Sequence, residues 1–257
     1  MLQPWYQKKH CQGQEQKGQR IELIYQIESE ICPKKTVLVT ESLSEISKIT
    51  VNGQEVSLES QGHWIDCCFD ELFLPEGLLQ KGSNEIVIRM RYNQTSGLEA
   101  VYLLGDFGVW IDGEQLRIDS LPEKLSLGDV SVQGLPFYSG TIKYVVNAPK
   151  EVYAKVRLQG FGGALAKLQG YGEKEETILA FRPYEGAICG LQNISIVLTR
   201  RNTFGPFHRP LHLPGKNEPL YFVTEGEQWT EDYVLVEQGL LKMPEIRLEE
   251  KQWCKRN

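Results

Sequence analysis

The chain has 257 residues, 41% hydrophobic and 24% charged, with 28 Lys+Arg against 34 Asp+Glu. That is the make-up of a globular protein with apolar material for one large core or two smaller ones. A net charge of −6 argues against nucleic acid as the main partner, since phosphate binding needs a cationic surplus on one face. No apolar run approaches the roughly 18 residues that cross a bilayer, so no membrane partner is expected.

Residues 1–20 are polar and Gln/Lys-rich and read as a linker or surface segment. They lack the apolar stretch of a secretory leader, which points to a cytoplasmic chain or to the trimmed part of a longer one. From Arg20 onward, short apolar runs alternate with turn residues. Strands are predicted at 21–25, 36–40 and 49–51. Asn52-Gly53 then signals a two-residue hairpin into 54–56. Residues 84–91 alternate apolar and polar, and further strands follow at 100–104, 107–111 and 115–118, with Asp112-Gly113 as another turn. The series continues at 141–146, 152–158, 178–181 and 194–198. Helical periodicity is nearly absent; residues 43–49 offer one or two turns at most. Many short strands punctuated by Gly and Asn indicate an all-β sandwich or barrel. The βα alternation of a Rossmann fold or (β/α)₈ barrel is missing.

An internal duplication is also visible. Val51-Asn52-Gly53 precedes Gly82-x-Asn84-x-Ile86-x-Ile88, and Leu168-Gln169-Gly170 precedes Gly190-x-Gln192-x-Ile194-x-Ile196. Each pair brackets a proline-containing stretch (Leu74-Pro75, Arg182-Pro183). The spacing suits a duplicated sandwich domain. The expected organisation is a first lobe at 21–97, connecting strands shared between lobes at 98–138, and a second lobe at 139–257.

The six cysteines (Cys11, Cys32, Cys67, Cys68, Cys189, Cys254) and four histidines (His10, His63, His208, His212) form no CxxC, HExxH or zinc spacing. A chain of this size needs no staples, so free thiols are expected. His208 and His212 have helical spacing, but Pro206, Pro210 and Pro214 forbid a helix there.

The run from Ile49 to Ile88, with its Val-Asn-Gly hairpin, Phe73-Leu74-Pro75 and Gly-x-Asn-x-Ile-x-Ile, resembles the galactose-binding-like jelly roll of glycoside hydrolase family 2. Leu98-Glu99-Ala100-Val101-Tyr102-Leu103-Leu104-Gly105-Asp106-Phe107-Gly108-Val109 is similar to the C-terminal region of family 2-like and α-L-rhamnosidase-like bacterial glycosidases. So are Gly134-Leu135-Pro136-Phe137-Tyr138-Ser139-Gly140-Thr141-Ile142-x-Tyr144, Arg201-Asn202-x-x-Gly205-Pro206-x-His208 and Trp229-Thr230-x-x-Tyr233-x-Leu235. Val130 and Gln192 depart from the pattern, where an aromatic and an Asn would be expected. The resemblance implies two galactose-binding-like jelly-roll β-sandwich lobes. It implies a non-catalytic accessory domain that binds carbohydrate or shapes the substrate site, with the catalytic barrel of the parent glycosidase as partner. The alternatives are a purely structural domain packing on that barrel and a free-standing carbohydrate-binding module.

Sugar binding by a sandwich uses an aromatic ring on the sugar's C–H face and polar side chains for its hydroxyls. His63, Trp64 and Asp66, in a short segment after Gly62, are the first candidate set. Arg201, Asn202 and His208, in a loop broken by Pro and Gly, are the second. Trp110 and Trp229 are further candidate platforms, and the exposure of the three tryptophans separates a binding module from a structural one. No catalytic residue is assigned. Asp106 reads as a turn aspartate, Ser139 lacks a nucleophile elbow, and Gly160-Phe161-Gly162-Gly163 lacks the Lys-Ser/Thr of a phosphate loop. No cofactor is expected. A structural calcium, which such sandwiches often hold, stays open, because no compact Asp-rich loop is visible.

Overall fold

The computed structural model describes residues 18–41, 43–93, 96–172, 176–211 and 225–249. It is all-β, with several sheets and very little helix. The chain divides into two compact units, one of Met1–Gly108 with Leu116–Leu121 and one of Val109–Gln115 with Pro122–Asn257.

The first unit begins with β1 (Gln19–Ser29), β2 (Val37–Thr40), a 3-10 turn (Leu43–Glu45), β3 (Ile46–Val51) and β4 (Gln54–Val56). It continues with β5 (Asp70–Phe73), β6 (Gly82–Tyr92) and β7 (Tyr102–Leu104). The chain is divided inside the hairpin of β8 (Gly108–Asp112) and β9 (Gln115–Asp119). One sheet runs in the order β4-β3-β6-β1-β9, and a second in the order β5-β2-β7. The alternation read in the sequence is what builds them. Ile21, Leu23, Tyr25 and Ile27 fall on one face of β1, and Leu23 pairs in register with Ile88 and Tyr25 with Ile86. Leu38 and Leu72 of the second sheet bury against Ile49, Ile86 and Ile88 of the first, so the two sheets close on one core as a sandwich. Asn52 (φ 49) and Gly53 (φ 78) make the left-handed β3–β4 turn. The Asn52 amide donates to the Leu78 carbonyl and to Asn84 Oδ1, and its own Oδ1 accepts the Glu85 N–H. The two sequence motifs of this lobe are thus wired to each other.

The second unit contains β10 (Thr141–Val145), β11 (Tyr153–Arg157), β12 (Phe161–Gly162), β13 (Leu165–Gly170) and β14 (Glu176–Leu179). After them come β15 (Glu185–Cys189), β16 (Leu191–Val197), the one-turn helix α1 (Arg201–Phe204), β17 (Gly239–Leu240) and β18 (Glu245–Glu249). Its sheets have the orders β10-β16-β13-β14, β15-β11-β18 and β12-β17. Ala166, Leu168, Ile194 and Ile196 pack with Ala154, Val156 and Ile188 into a separate core.

Residues 43–49 hold one short turn, Leu43–Glu45, before Ile46 enters β3, within the one or two turns the sequence offers. Other expectations change. Leu168-Gln169-Gly170, the counterpart of the Val51-Asn52-Gly53 turn in the duplication, is instead the end of β13, where the pairing with β16 slips at Gly170. Gln192 is exposed, whereas Asn84 is buried and pins its turn through Gln80 and Gly82, so the longer amide is not a substitute for the short one. Val130 is fully buried in the second core. Gly162 lies in β12, where a Cβ would strike the Glu237 carbonyl; a close main-chain approach explains this glycine.

The expectation of free thiols throughout is corrected. Cys32, Cys67 and Cys68 are free and exposed, but Cys189 is disulfide-bonded. Sequence spacing does not report which Cα atoms a fold brings within bridging distance. Cys11, Cys254, His10 and His212 lie outside the described residues.

Candidate functional site

The register of the β5-β2-β7 sheet gathers three chain segments at one end of the first unit. Thr40 is opposite Asp70, and Val39 is opposite Tyr102. Glu41 therefore leaves β2 beside the points where the 62–69 loop enters β5 and the 96–101 segment enters β7. The loop is tightly wound. Trp64 N–H donates to the Phe69 carbonyl at 3.0 Å, Phe69 N–H to the Asp66 carbonyl at 3.1 Å, and Cys68 N–H to Asp66 Oδ1 at 3.3 Å. Ile65 sits between them at φ 66, a left-handed conformation that a β-branched residue adopts only under constraint.

This winding lays Trp64 beside two other rings, Phe69 at 5.8 Å and Tyr102 at 5.2 Å, with Phe69 and Tyr102 themselves 5.6 Å apart. Phe69 is buried, whereas Trp64 and Tyr102 are half-buried. Carboxylates surround the cluster. Burial pushes the Tyr102 phenol up to about 12, helped by the charges of Glu41, Glu99 and Cys68. Burial, then Glu99 and Asp66, raise the Glu41 carboxyl. Hydrogen bonds from Cys67 and Cys68 hold the exposed Asp66 carboxyl below the usual range. Burial, then Glu41 and Asp66, raise the Cys68 thiol. His63, mostly exposed, places Nδ1 3.7 Å from Asp70 Oδ1. The result is an amphipathic ring pair with acceptor carboxylates beside it, a set able to stack a sugar face and accept its hydroxyl protons.

The second candidate set lies in the other unit. Asn202 is fully buried in α1, and its amide both donates to the Val236 carbonyl (2.8 Å) and accepts the Val236 N–H (2.9 Å). It is a clamp between α1 and the 233–238 segment, with no surface left for a ligand. Burial, then Arg209, depress the Arg201 guanidinium. His208 Nδ1 lies 3.1 Å from the Thr230 carbonyl, and its ring lies 4.8 Å from Tyr233 and 5.9 Å from Trp229. Near it, Glu114 and Glu231 share a hydrogen bond that raises the Glu114 carboxyl. Trp110 is exposed and Trp229 half-buried, so none of the three tryptophans is a fully buried core residue. Asp106 makes a surface ion pair with Lys35 at 3.2 Å.

Of the residues the sequence suggests, Trp64 and Asp66 lie in this cluster; Glu41, Glu99 and Tyr102 carry no local signal, and the β2–β5 and β2–β7 registers bring them to the loop. Among the described residues, no three His, Cys, Asp or Glu side chains are placed to hold a metal ion, and no helix is long and apolar enough to cross a membrane.

No family model and no curated protein matches the sequence. Among solved structures, the chain is similar to a β-D-mannosidase from Dictyoglomus thermophilum, at 13% identity and a TM-score of 0.29. The match covers 72% of this chain and 25% of that one, so the chain spans about a quarter of that enzyme's length.

Proposed function

We propose that this chain is a non-catalytic accessory module of a bacterial glycoside hydrolase. In this reading it holds a sugar at the Trp64–Tyr102 end of the first sandwich, and a separate barrel domain supplies the two catalytic carboxylates. The supporting observation is a half-exposed ring pair flanked by Glu41, Asp66 and Glu99. Stacking on Trp64 excludes water from the sugar's C–H face. Glu99 and Asp66, both exposed, are placed to accept hydroxyl protons. An open platform of this kind binds weakly, with Kd on the order of millimolar to tens of micromolar.

Calorimetry against a panel of neutral oligosaccharides tests the reading. Binding by the parent chain, lost in Glu99→Gln and Trp64→Phe while both stay folded, supports it. Absence of binding to every member of the panel removes it. Aryl glycoside turnover that survives purification and disappears on replacing one carboxylate removes the non-catalytic part.

One observation favours the structural alternative. Trp64 meets both Phe69 and Tyr102 through its ring, which is also how an aromatic holds a loop in place. A parent chain that binds no sugar of the panel, together with a lowered denaturation midpoint for Trp64→Ala, selects that alternative.

A further inference from the structure

The first sandwich carries a second chemical feature, on the solvent face of its other sheet. Near one end of the β1–β6 ladder, Arg20 stands directly opposite Arg91 and Glu22 directly opposite Arg89. Lys48 of β3 is paired with Arg89 on the other side. With Ser47 these side chains line a cleft of about 640 Å³, within the size range of small-molecule sites.

The charges in the cleft are not equivalent. Arg89 Nε lies 2.6 Å from Glu22 Oε1, and Lys48 Nζ lies 2.6 Å from Glu55 Oε2. Arg20 and Arg91 make no ion pair among the described residues, although the chain as a whole carries a net charge of −6. Like charges directly opposite one another weaken a strand pair, so the fold keeps this pair at a cost to its own stability. Two local features shape this end of the ladder. A Cβ on Gly18 would lie 2.8 Å from Arg91 Cγ, so the glycine lets the chain lie against the Arg91 stem. The register slip between Ile46 and Lys48 sets apart Ser47, whose hydroxyl donates to the Arg89 carbonyl at 2.9 Å.

We propose that this cleft binds an anionic sugar, a ring bearing a carboxylate or a sulfate, with Arg20 and Arg91 gripping the acid group. Paired planar guanidiniums match such a group through bidentate hydrogen bonds. Glu22 and the Ser47 hydroxyl stand beside them as acceptors for ring hydroxyls. A nucleic acid fits less well, because it needs a continuous run of cations along its phosphates, and Glu22 and Glu55 interrupt any such run. The inference goes beyond the aromatic end of the β5-β2-β7 sheet, which lies on a different sheet and has the opposite charge.

The test uses the full chain in affinity electrophoresis and calorimetry at low and high salt. The probes are an oligogalacturonate (carboxylate), a sulfated dextran oligosaccharide, a neutral oligosaccharide of equal length and a short DNA duplex. Wild type is compared with the double variant Arg20→Gln/Arg91→Gln and with Lys35→Gln, which removes an exposed cation paired with Asp106 outside the cleft. The expected result is salt-sensitive binding of at least one acidic glycan, weakened about tenfold or more in the double variant and unchanged in Lys35→Gln. Which glycan binds names the acid group. The double variant relieves a like-charge pair, so its urea midpoint should equal or exceed that of the wild type, and a loss of binding is then not a loss of fold. Three results overturn the proposal: no acidic glycan binds, the double variant binds as the wild type does, or only the DNA binds.

Discussion

The rings of Trp64 and Tyr102 meet at 5.2 Å between centroids, tilted by 52°, one from a wound loop and the other from the first position of a strand. The contact exists because β2 pairs with both β5 and β7, which brings the loop before β5 and the start of β7 to the same end of the sheet. It gives Trp64 two roles, as a surface a sugar can stack on and as a prop for the loop that presents it.

Trp64→Ala should therefore destabilise the first unit, by about 2–3 kcal/mol, somewhat below the value for a fully buried tryptophan. Trp64→Phe should recover most of that through the remaining ring contacts. Urea denaturation of the two variants checks this. An unchanged midpoint for Trp64→Ala would show that the ring contacts with Phe69 and Tyr102 carry no weight.

The raised phenol of Tyr102 gives a stability change at high pH. Below pH 10 the phenol is neutral in both states and its stabilisation is fully present. The unfolded chain ionises near 10.0 and the folded chain near about 12, so stability falls as pH rises through that window. Tyr25, Tyr144 and Tyr233 are shifted in the same direction, so the parent curve contains all four. The Tyr102→Phe variant should lose stability less steeply between pH 10 and 12 than the parent, as read from denaturation midpoints across pH. Parallel curves would count against the shift.

Asn202→Ala leaves the Val236 N–H and carbonyl without their side-chain partners in a buried setting. A loss of about 2–4 kcal/mol is expected, from two hydrogen bonds and the desolvation of the groups left behind. Sugar binding at the Trp64 end should be unaffected while the chain stays folded. A variant of wild-type stability would remove the clamp role assigned to this residue.

One disulfide involving Cys189 takes two of the six cysteines. Thiol titration in denaturant should give about four free thiols without reductant and six with it. Six in both conditions would contradict the bridge. The same experiment on Cys189→Ser should raise the unreduced count by one relative to the parent.

The all-β character was legible in the chain because alternating positions such as Ile21, Leu23, Tyr25 and Ile27 bury one face whatever else the molecule does, and because Asn52-Gly53 accepts the left-handed turn a tight hairpin requires. Strand β13 was not legible. Its Leu-Ala-Lys-Leu-Gln-Gly run has no β-branched residue, and only pairing with β14 and β16 on either side makes it a strand. Strand β18 likewise looks like an exposed charged run until β11 supplies its partner.

The candidate site divides the same way. Trp64 and Asp66 stand out locally, as an aromatic and an acid after a glycine. Glu41, Glu99 and Tyr102 are unremarkable in sequence and join them only through the pairing of β2 with both β5 and β7. Asn202 shows the converse, since a polar residue in a Gly/Pro-broken loop reads as exposed until its amide is seen closed on Val236. Side-chain type and local periodicity decide which face of a strand is apolar. Which strands become neighbours, and so which loops meet, depends on contacts between distant segments, which local pattern does not encode.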